Sequence, residues 1–278
     1  METISGLGKK DRKRLSAIYR ETKGTISVRE AAGILDIDST DAAKMLSRWA
    51  RKGWLSRVRR GFYVRVPLES STPDIPLEDP WIVADRLFSP CYIGGWSAAE
   101  YWDLTEQIFR TIVVMTTKRP RDRAPVIKGT SFMLRTVSEK TLFGTKSIWR
   151  GQVKVSISDP SRTILDMLAD PRLGGGIRPT LDVFLNYMKS ENRDVPLLTE
   201  YAKRLGNGAV FKRLGFLMER YAPDQAAAVA LCKNQLTKGL AKLDPSRKAG
   251  KFATRWRLWV PENLAKEGKD FREGTDLL

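Results

Sequence analysis

ISVREAAGILDIDSTDAAKMLSRWARKGWLSRVRRGFYVRV, residues 26–66, decides how the rest of the chain is read. Val28, Ala31, Ala32 and Leu35 recur at helical spacing and give a first short helix one apolar face. Ile37 plugs the turn that follows. Asp38 or Ser39 is placed to cap a second helix over about 40–52, and Gly53 to stop it. On that second helix Ala42, Ala43, Leu46, Trp49 and Ala50 share an inner face. Asp41, Lys44, Ser47, Arg48 and Arg51 share the outer one. Trp54-Leu55 and Phe62-Tyr63-Val64 then bracket a turn carrying Arg57, Arg59, Arg60 and Gly61, the pattern of a basic β-hairpin. Helix, turn, helix and hairpin in this order are the layout of a winged helix-turn-helix, whose second helix enters a major groove with the hairpin beside it. A charged helix face alone means solubility. Here three features coincide, so nucleic acid is the expected partner of this stretch. The candidate contact residues are Thr40, Asp41, Lys44, Ser47, Arg48, Arg51, Arg57, Arg59 and Arg60.

Charge agrees with that reading. Of 278 residues, 49 are Lys or Arg and 32 are Asp or Glu, a formal net charge of +17. Residues 1–66 hold 16 of those cations against 7 anions, so about half the excess sits in under a quarter of the length. A local basic field favours a polyanion and speeds encounter with it. Anionic lipid is the competing polyanion, but no stretch joins a basic face to a strong apolar stripe free of other duties, so no membrane partner is expected. The apolar runs, such as 226–231 and 112–115, are far too short to span a bilayer, and the residues after Met1 have no apolar signal-peptide core. A cytoplasmic protein is the expectation.

The chain has no histidine and two cysteines, Cys91 and Cys232. A disulfide framework, a spaced Cys/His zinc site, a nucleophilic triad and histidine acid–base chemistry are thereby excluded or nearly so. Two buried free thiols are expected. No P-loop or dinucleotide fingerprint is present. Gly174-Gly175-Gly176 does not open a helix after a strand as phosphate-cradling loops do, so no cofactor, metal or catalytic residue is assigned. Glu100, Asp103, Asp159, Asp166 and Asp170 leave a nuclease open as a reading, although Asp159 has a good explanation as a helix cap.

Outward from the opening stretch, residues 9–23 predict a first helix with Leu15, Ile18 and Tyr19 as its apolar stripe. Lys9, Lys10, Arg12, Lys13 and Arg14 at its start touch phosphates or stay in water. Residues 67–80, PLESSTPDIPLEDP, contain four prolines and no Lys or Arg, the composition of a linker that few contacts cross. The predicted domains are therefore 1–72 and 73–278. In the second, helices are expected at 81–88 and 96–104, and strands at 91–93, 111–116, 131–137 and 152–157, with a looser stretch around Phe143-Gly144. Asp159-Pro160-Ser161 opens a further helix, followed by helices near 179–190, 195–206, 208–221 and 224–232. Trp96, Tyr101 and Trp102 read as core rather than a stacking platform. Trp256 and Trp259, interleaved with Arg255 and Arg257, read as a docked strand in preference to a single-strand nucleic-acid surface. The fold class is α+β: a winged helix-turn-helix, then a mixed α/β domain with a helical C-terminal half.

Five segments of the second part also occur in a familiar order: YIGGWSAAEYWDLTEQ (92–107), TIVVMTTKRPR (111–121), FG (143–144), ISDPSRTILDML (157–168) and LLTEYAKRLGNGAVFKRLGFLMER (197–220). With the N-terminal pattern, they make the chain, from about Leu15 to Tyr221, resemble the AbiEi family of antitoxins and transcriptional regulators in bacterial abortive-infection, type IV toxin–antitoxin systems. The resemblance implies a winged helix that binds inverted repeats in double-stranded DNA upstream of its own operon and represses it. It also implies a second domain that serves antitoxicity against a nucleotidyltransferase-like toxin and helps pair protomers on DNA. Members often carry a histidine where this chain has Gly95-Trp96-Ser97, so no role passes to those residues. Two other readings remain open: a winged-helix regulator whose second domain senses a ligand, with no toxin partner, and a nucleic-acid-processing enzyme.

Overall fold

The computed structural model describes residues 6–67, 77–247 and 250–265. Its first part grows from a few large apolar side chains. Leu15 and Ile18 bury one side of α1 (Lys9–Glu21). They meet Ala31 and Ala32 of α2 (Val28–Leu35) and Ala42, Met45, Leu46 and Trp49 of α3 (Ser39–Arg51). The hairpin of β2 (Leu55–Arg59) and β3 (Phe62–Arg65) closes this core with Leu55 and Tyr63. A strand absent from the sequence reading, β1 (Thr25–Ser27), pairs antiparallel with β3, Ile26 facing Tyr63, and completes a three-stranded sheet of order β1-β3-β2.

The stretch 68–76, with most of the expected linker and the predicted boundary at 72/73, lies outside the described residues. On either side of it the two parts touch. Val64, Leu77, Ile82 and Val83 belong to one apolar cluster, against which Val58 and Phe62 of the hairpin also pack. Arg86 of α4 (Pro80–Phe88) pairs with Glu30 of α2 at 3.4 Å. A methyl group on Gly24 would stand 2.8 Å from Ile82, so the backbone before β1 lies directly on α4. The expectation that the two parts barely touch is corrected here. Apolar residues flank the proline-rich stretch on both sides, and burying them together outweighs the linker-like composition between them.

The second part is a six-stranded mixed sheet backed by helices. Its strands are β4 (Cys91–Ile93), β5 (Thr111–Thr116), β6 (Val126–Ile127), β7 (Thr130–Thr136), β8 (Thr145–Arg150) and β9 (Val153–Ser158), in the order β6-β7-β5-β4-β9-β8. The central pair β4·β5 is antiparallel, the pairs β5·β7 and β4·β9 that flank it are parallel, and the two edges are antiparallel hairpins. Val113, Val114, Met115 and Thr116 are buried, as a β-branched central strand requires. The stretch expected to be loose contains β8, and the strand expected at 152–157 is β9. The helix α5 (Gly95–Tyr101) enters from β4 and is shorter than its aromatic run suggests. Cys91 is half-buried rather than buried, and Cys232 is buried; both thiols are free.

Behind the sheet, α6 (Pro160–Ala169) is the spine of the helical layer, with nine of its residues buried. Around it lie α7 (Ile177–Lys189), α8 (Val195–Leu205), α9 (Gly208–Tyr221) and α10 (Ala226–Asn234). A small sheet of β10 (Ala241–Lys242), β11 (Lys251–Ala253) and β12 (Leu258–Val260), followed by α11 (Glu262–Ala265), docks the C-terminal stretch on α9. Trp256 is buried on Gly215, and its indole N–H donates to Glu219 at 2.6 Å. Arg255 pairs with the same carboxylate at 2.7 Å, and Trp259 packs on Phe252, so the basic aromatic tail is a docked element. No described helix is long and apolar enough to cross a membrane.

That docking sets the sign of a glycine test. Alanine usually stabilises a helix interior by about 1 kcal/mol over glycine. A Cβ at Gly215 would fall on the Trp256 ring, whereas one at Gly33, in α2, meets open space. Gly215→Ala is therefore expected to destabilise the protein by roughly 1–3 kcal/mol. Gly33→Ala should stabilise it by roughly 0.5–1 kcal/mol. Urea unfolding midpoints for the two variants check both signs.

Candidate nucleic-acid interface

Local chemistry fixes where α2 and α3 begin and where α2 ends. Ser27 and Glu30 form a reciprocal capping box: the Glu30 N–H donates to the Ser27 hydroxyl at 3.2 Å, and the Ser27 N–H to Glu30 at 2.9 Å. The helix ends at Asp36, in the left-handed region (φ 51°), and the Ile37 N–H closes the turn on the Ala32 carbonyl. Asp38 then caps α3 by accepting from the Thr40 N–H at 2.7 Å. That hydrogen bond holds the Asp38 carboxyl below its usual range.

The faces of α3 differ in detail from expectation. Ala42, Met45, Leu46 and Trp49 are buried, whereas Ala43 and Ala50 are half-buried. The stripe runs through Met45, one helical turn from both Ala42 and Trp49, and excludes residues one step round the helix. On α2 likewise Ala31 and Ala32 are buried, but Val28 and Leu35 only half so. On the other side of α3, Thr40, Asp41, Lys44, Arg48 and Arg51 are exposed and Ser47 is half-buried. The structure thus gathers these six candidates along one helix flank.

The hairpin carries the other three. Its register slips between Arg57 and Arg59, and Gly61 takes the positive φ of 80° that the tight turn needs. Arg57, Arg59 and Arg60 are all exposed. The Arg59 guanidinium lies over the Phe62 ring at 4.7 Å, and partial burial lowers its pKa.

One neighbour was not visible in the sequence pattern. Arg48 donates to Asp11 of α1 at 3.1 Å, which places the start of α1 beside the outer flank of α3. Lys9, Lys10, Arg12 and Lys13 are exposed there, so a third cationic element adjoins the other two. Asp11 and Arg48 lie 37 residues apart, beyond any periodicity signal. Lys44 reaches Asp41 at 3.8 Å, an exposed pair that water and salt readily separate.

Two of the competing carboxylates, Asp159 and Asp166, have structural duties. Asp159 caps α6 through the Arg162 N–H at 2.8 Å and accepts from the Tyr201 hydroxyl at 3.1 Å; burial raises its pKa against these hydrogen bonds. Asp166 is wholly enclosed against Arg162 and Tyr92. Among the described residues, no three His, Cys, Asp or Glu side chains gather as metal ligands would.

The capping box gives the test of this geometry. Ser27→Ala removes its side-chain acceptor and should cost about 1 kcal/mol. A lower urea midpoint with an unchanged slope is the expected readout. An unchanged midpoint would mean that the cap contributes nothing to the stability of this unit.

No curated protein matches the chain. Residues 13–66, which span nearly all of the three-helix unit and its sheet, match the family described as transcriptional regulator, AbiEi antitoxin.

Proposed function

We propose that the unit formed by α1–α3 and the β1-β3-β2 sheet is a winged helix-turn-helix that binds double-stranded DNA. The chain is then the repressor and antitoxin of a type IV toxin–antitoxin system. It binds inverted repeats in its own promoter, pairs protomers there, and counteracts a nucleotidyltransferase-like toxin from the cytoplasm. The observation that carries this reading is the coincidence of the family match with the exposed cations: both fall on the same N-terminal unit. In this reading α3 enters the major groove, with Thr40, Asp41, Lys44, Ser47, Arg48 and Arg51 facing the bases and backbone. Arg57, Arg59 and Arg60 meet phosphates or the minor groove. Arg48 exchanges Asp11 for a base edge at little cost, because exposed ion pairs contribute ~1 kcal/mol or less. Regulation, rather than catalysis, is also what the matched family's description implies.

Three measurements test it. Arg48→Ala should weaken binding to the upstream region of the chain's own operon by roughly 1–3 kcal/mol, with a smaller loss on unrelated DNA. Equal losses on both would remove α3 as the reader. Changing Arg59 and Arg60 together to alanine should flatten the plot of log affinity against log salt by roughly one unit for each phosphate that is no longer neutralised. Antitoxicity is read as growth of cells in which an unrelated promoter drives the neighbouring toxin gene. The full chain should restore growth, and the Arg48→Ala variant should restore it equally, because the second part carries that activity. Failure of the full chain to rescue would sink the antitoxin assignment while leaving DNA binding intact.

A further inference from the structure

Away from the cationic unit, the second part contains a groove of about 560 Å³ between the start of α4, the end of α5 and the entry to β5. Three aromatic side chains, Trp81, Tyr101 and Phe109, line it. Trp81 and Tyr101 have ring centroids 5.8 Å apart at 50°. Phe109 lines another side, stacked at 4.8 Å and 11° on Trp96 behind it. Neighbouring aromatic side chains are tied down. Trp102, for instance, donates its indole N–H to the Ser158 carbonyl at 2.7 Å. Tyr101 is 43% exposed, a ring at the groove rather than in the core.

The same groove presents two arginines. Arg110 is exposed and has no hydrogen bond or ion pair among the described residues. Arg150 lies 5.0 Å over the Trp81 ring and donates its Nε to Asp79 at 2.8 Å. Its two terminal amino groups bond to nothing among the described residues. The described lining has one carboxylate, the exposed Glu100.

Flat rings beside guanidinium groups that keep free N–H donors recognise a flat ligand that carries negative charge. Every nucleobase has a face to stack, and each phosphate offers the oxygens that arginine binds by paired hydrogen bonds. The volume is in the range of small-molecule sites. We propose that this groove binds a nucleotide unit, with its base against Tyr101 and Trp81 and its phosphate on Arg110 and Arg150. Glu100 accepts from an exocyclic amino group, which favours adenine, cytosine or guanine over thymine or uracil. The proposal is independent of the DNA reader, because it rests on different residues.

The experiment titrates the full-length protein with ATP and, separately, with a labelled single-stranded deoxyadenylate dodecamer, following tryptophan fluorescence and anisotropy. Saturable binding of at least one probe is expected. Tyr101→Ala and Arg110→Ala should each weaken it roughly tenfold. Tyr101→Phe keeps the ring and should retain binding, which separates stacking from misfolding. Arg48→Ala, on the reader, should leave it unchanged. Tighter binding of ATP assigns the site to free nucleotide, and tighter binding of the dodecamer to a strand; either supports the groove. Absence of binding by both probes overturns the proposal. So does binding that survives Tyr101→Ala and Arg110→Ala, or that is lost only with Arg48→Ala.

Discussion

Arg162 is the constraint on which the second part depends. Its guanidinium is almost wholly buried and spends its donors in several directions. Nε donates to Asp166 at 2.9 Å, one terminal nitrogen to the carbonyls of Thr141 and Phe143, and the other to the Tyr92 hydroxyl at 2.8 Å. Tyr92 in turn donates to Asp166 at 2.9 Å. Burial drives the Tyr92 pKa well above its usual value, with Asp166 adding to the effect, so the hydroxyl stays a donor. Burial also raises the Asp166 pKa against the pull of Arg162. A buried ion pair adds little over an apolar substitute, yet losing one partner costs about 3–5 kcal/mol because the other charge is stranded. Its consequence is therefore geometric. Strand β4, helix α6 and the turn before β8 must meet at one place, or a charge goes unpaired.

That geometry gives two acidic residues on one helix separate structural roles. Asp159 and Asp166 sit a little under two turns apart on α6, but one caps the helix and the other neutralises Arg162. Gly144 obeys the same constraint. With φ at 65°, a Cβ there would stand 2.9 Å from the Arg162 side chain, so the turn approaches as bare backbone. Polar residues that look like chemistry in one dimension are the joints of the fold in three. The exposed ring of Tyr101 and the Arg110 side chain at the groove have no such joint among the described residues.

What could be read in the sequence was whatever local periodicity and capping specify. Asp38, Asp159 and Gly53 stand at the predicted helix ends, and the outer residues of α3 face away from its core as their spacing required. Elements stabilised by distant partners were not legible. Strand β1 has three residues and exists because β3 supplies its hydrogen bonds. Strand β8, TKSIWR, is an edge strand mostly exposed to solvent, so it lacks the apolar run that marks a central strand. The split among Trp96, Tyr101 and Trp102 was hidden for the same reason. Spacing says that three aromatic side chains lie close together, and only the packed structure leaves Tyr101 open.

The hairpin shows how the two parts are coupled. Successive residues of a strand face opposite ways. On β3, Tyr63 points into the core of the three-helix unit with Leu55 and Ile26. Phe62 and Val64 point the other way, into the cluster formed by Leu77, Ile82 and Val83, with Val58 of β2 beside them. The same strand pair thus belongs to two cores at once. Removing the second part would expose its outer apolar face, so a fragment ending near residue 72 forfeits packing as well as any pairing between protomers. The strands that carry the arginine turn are packed from both sides, in the cluster of α3 through one face and in that of α4 through the other. The position of Arg57, Arg59 and Arg60 relative to α3 is then a property of the whole chain. Any partner that displaces α4 must move the hairpin with it or uncover Phe62 and Val64, and either outcome alters how the cationic surface is presented.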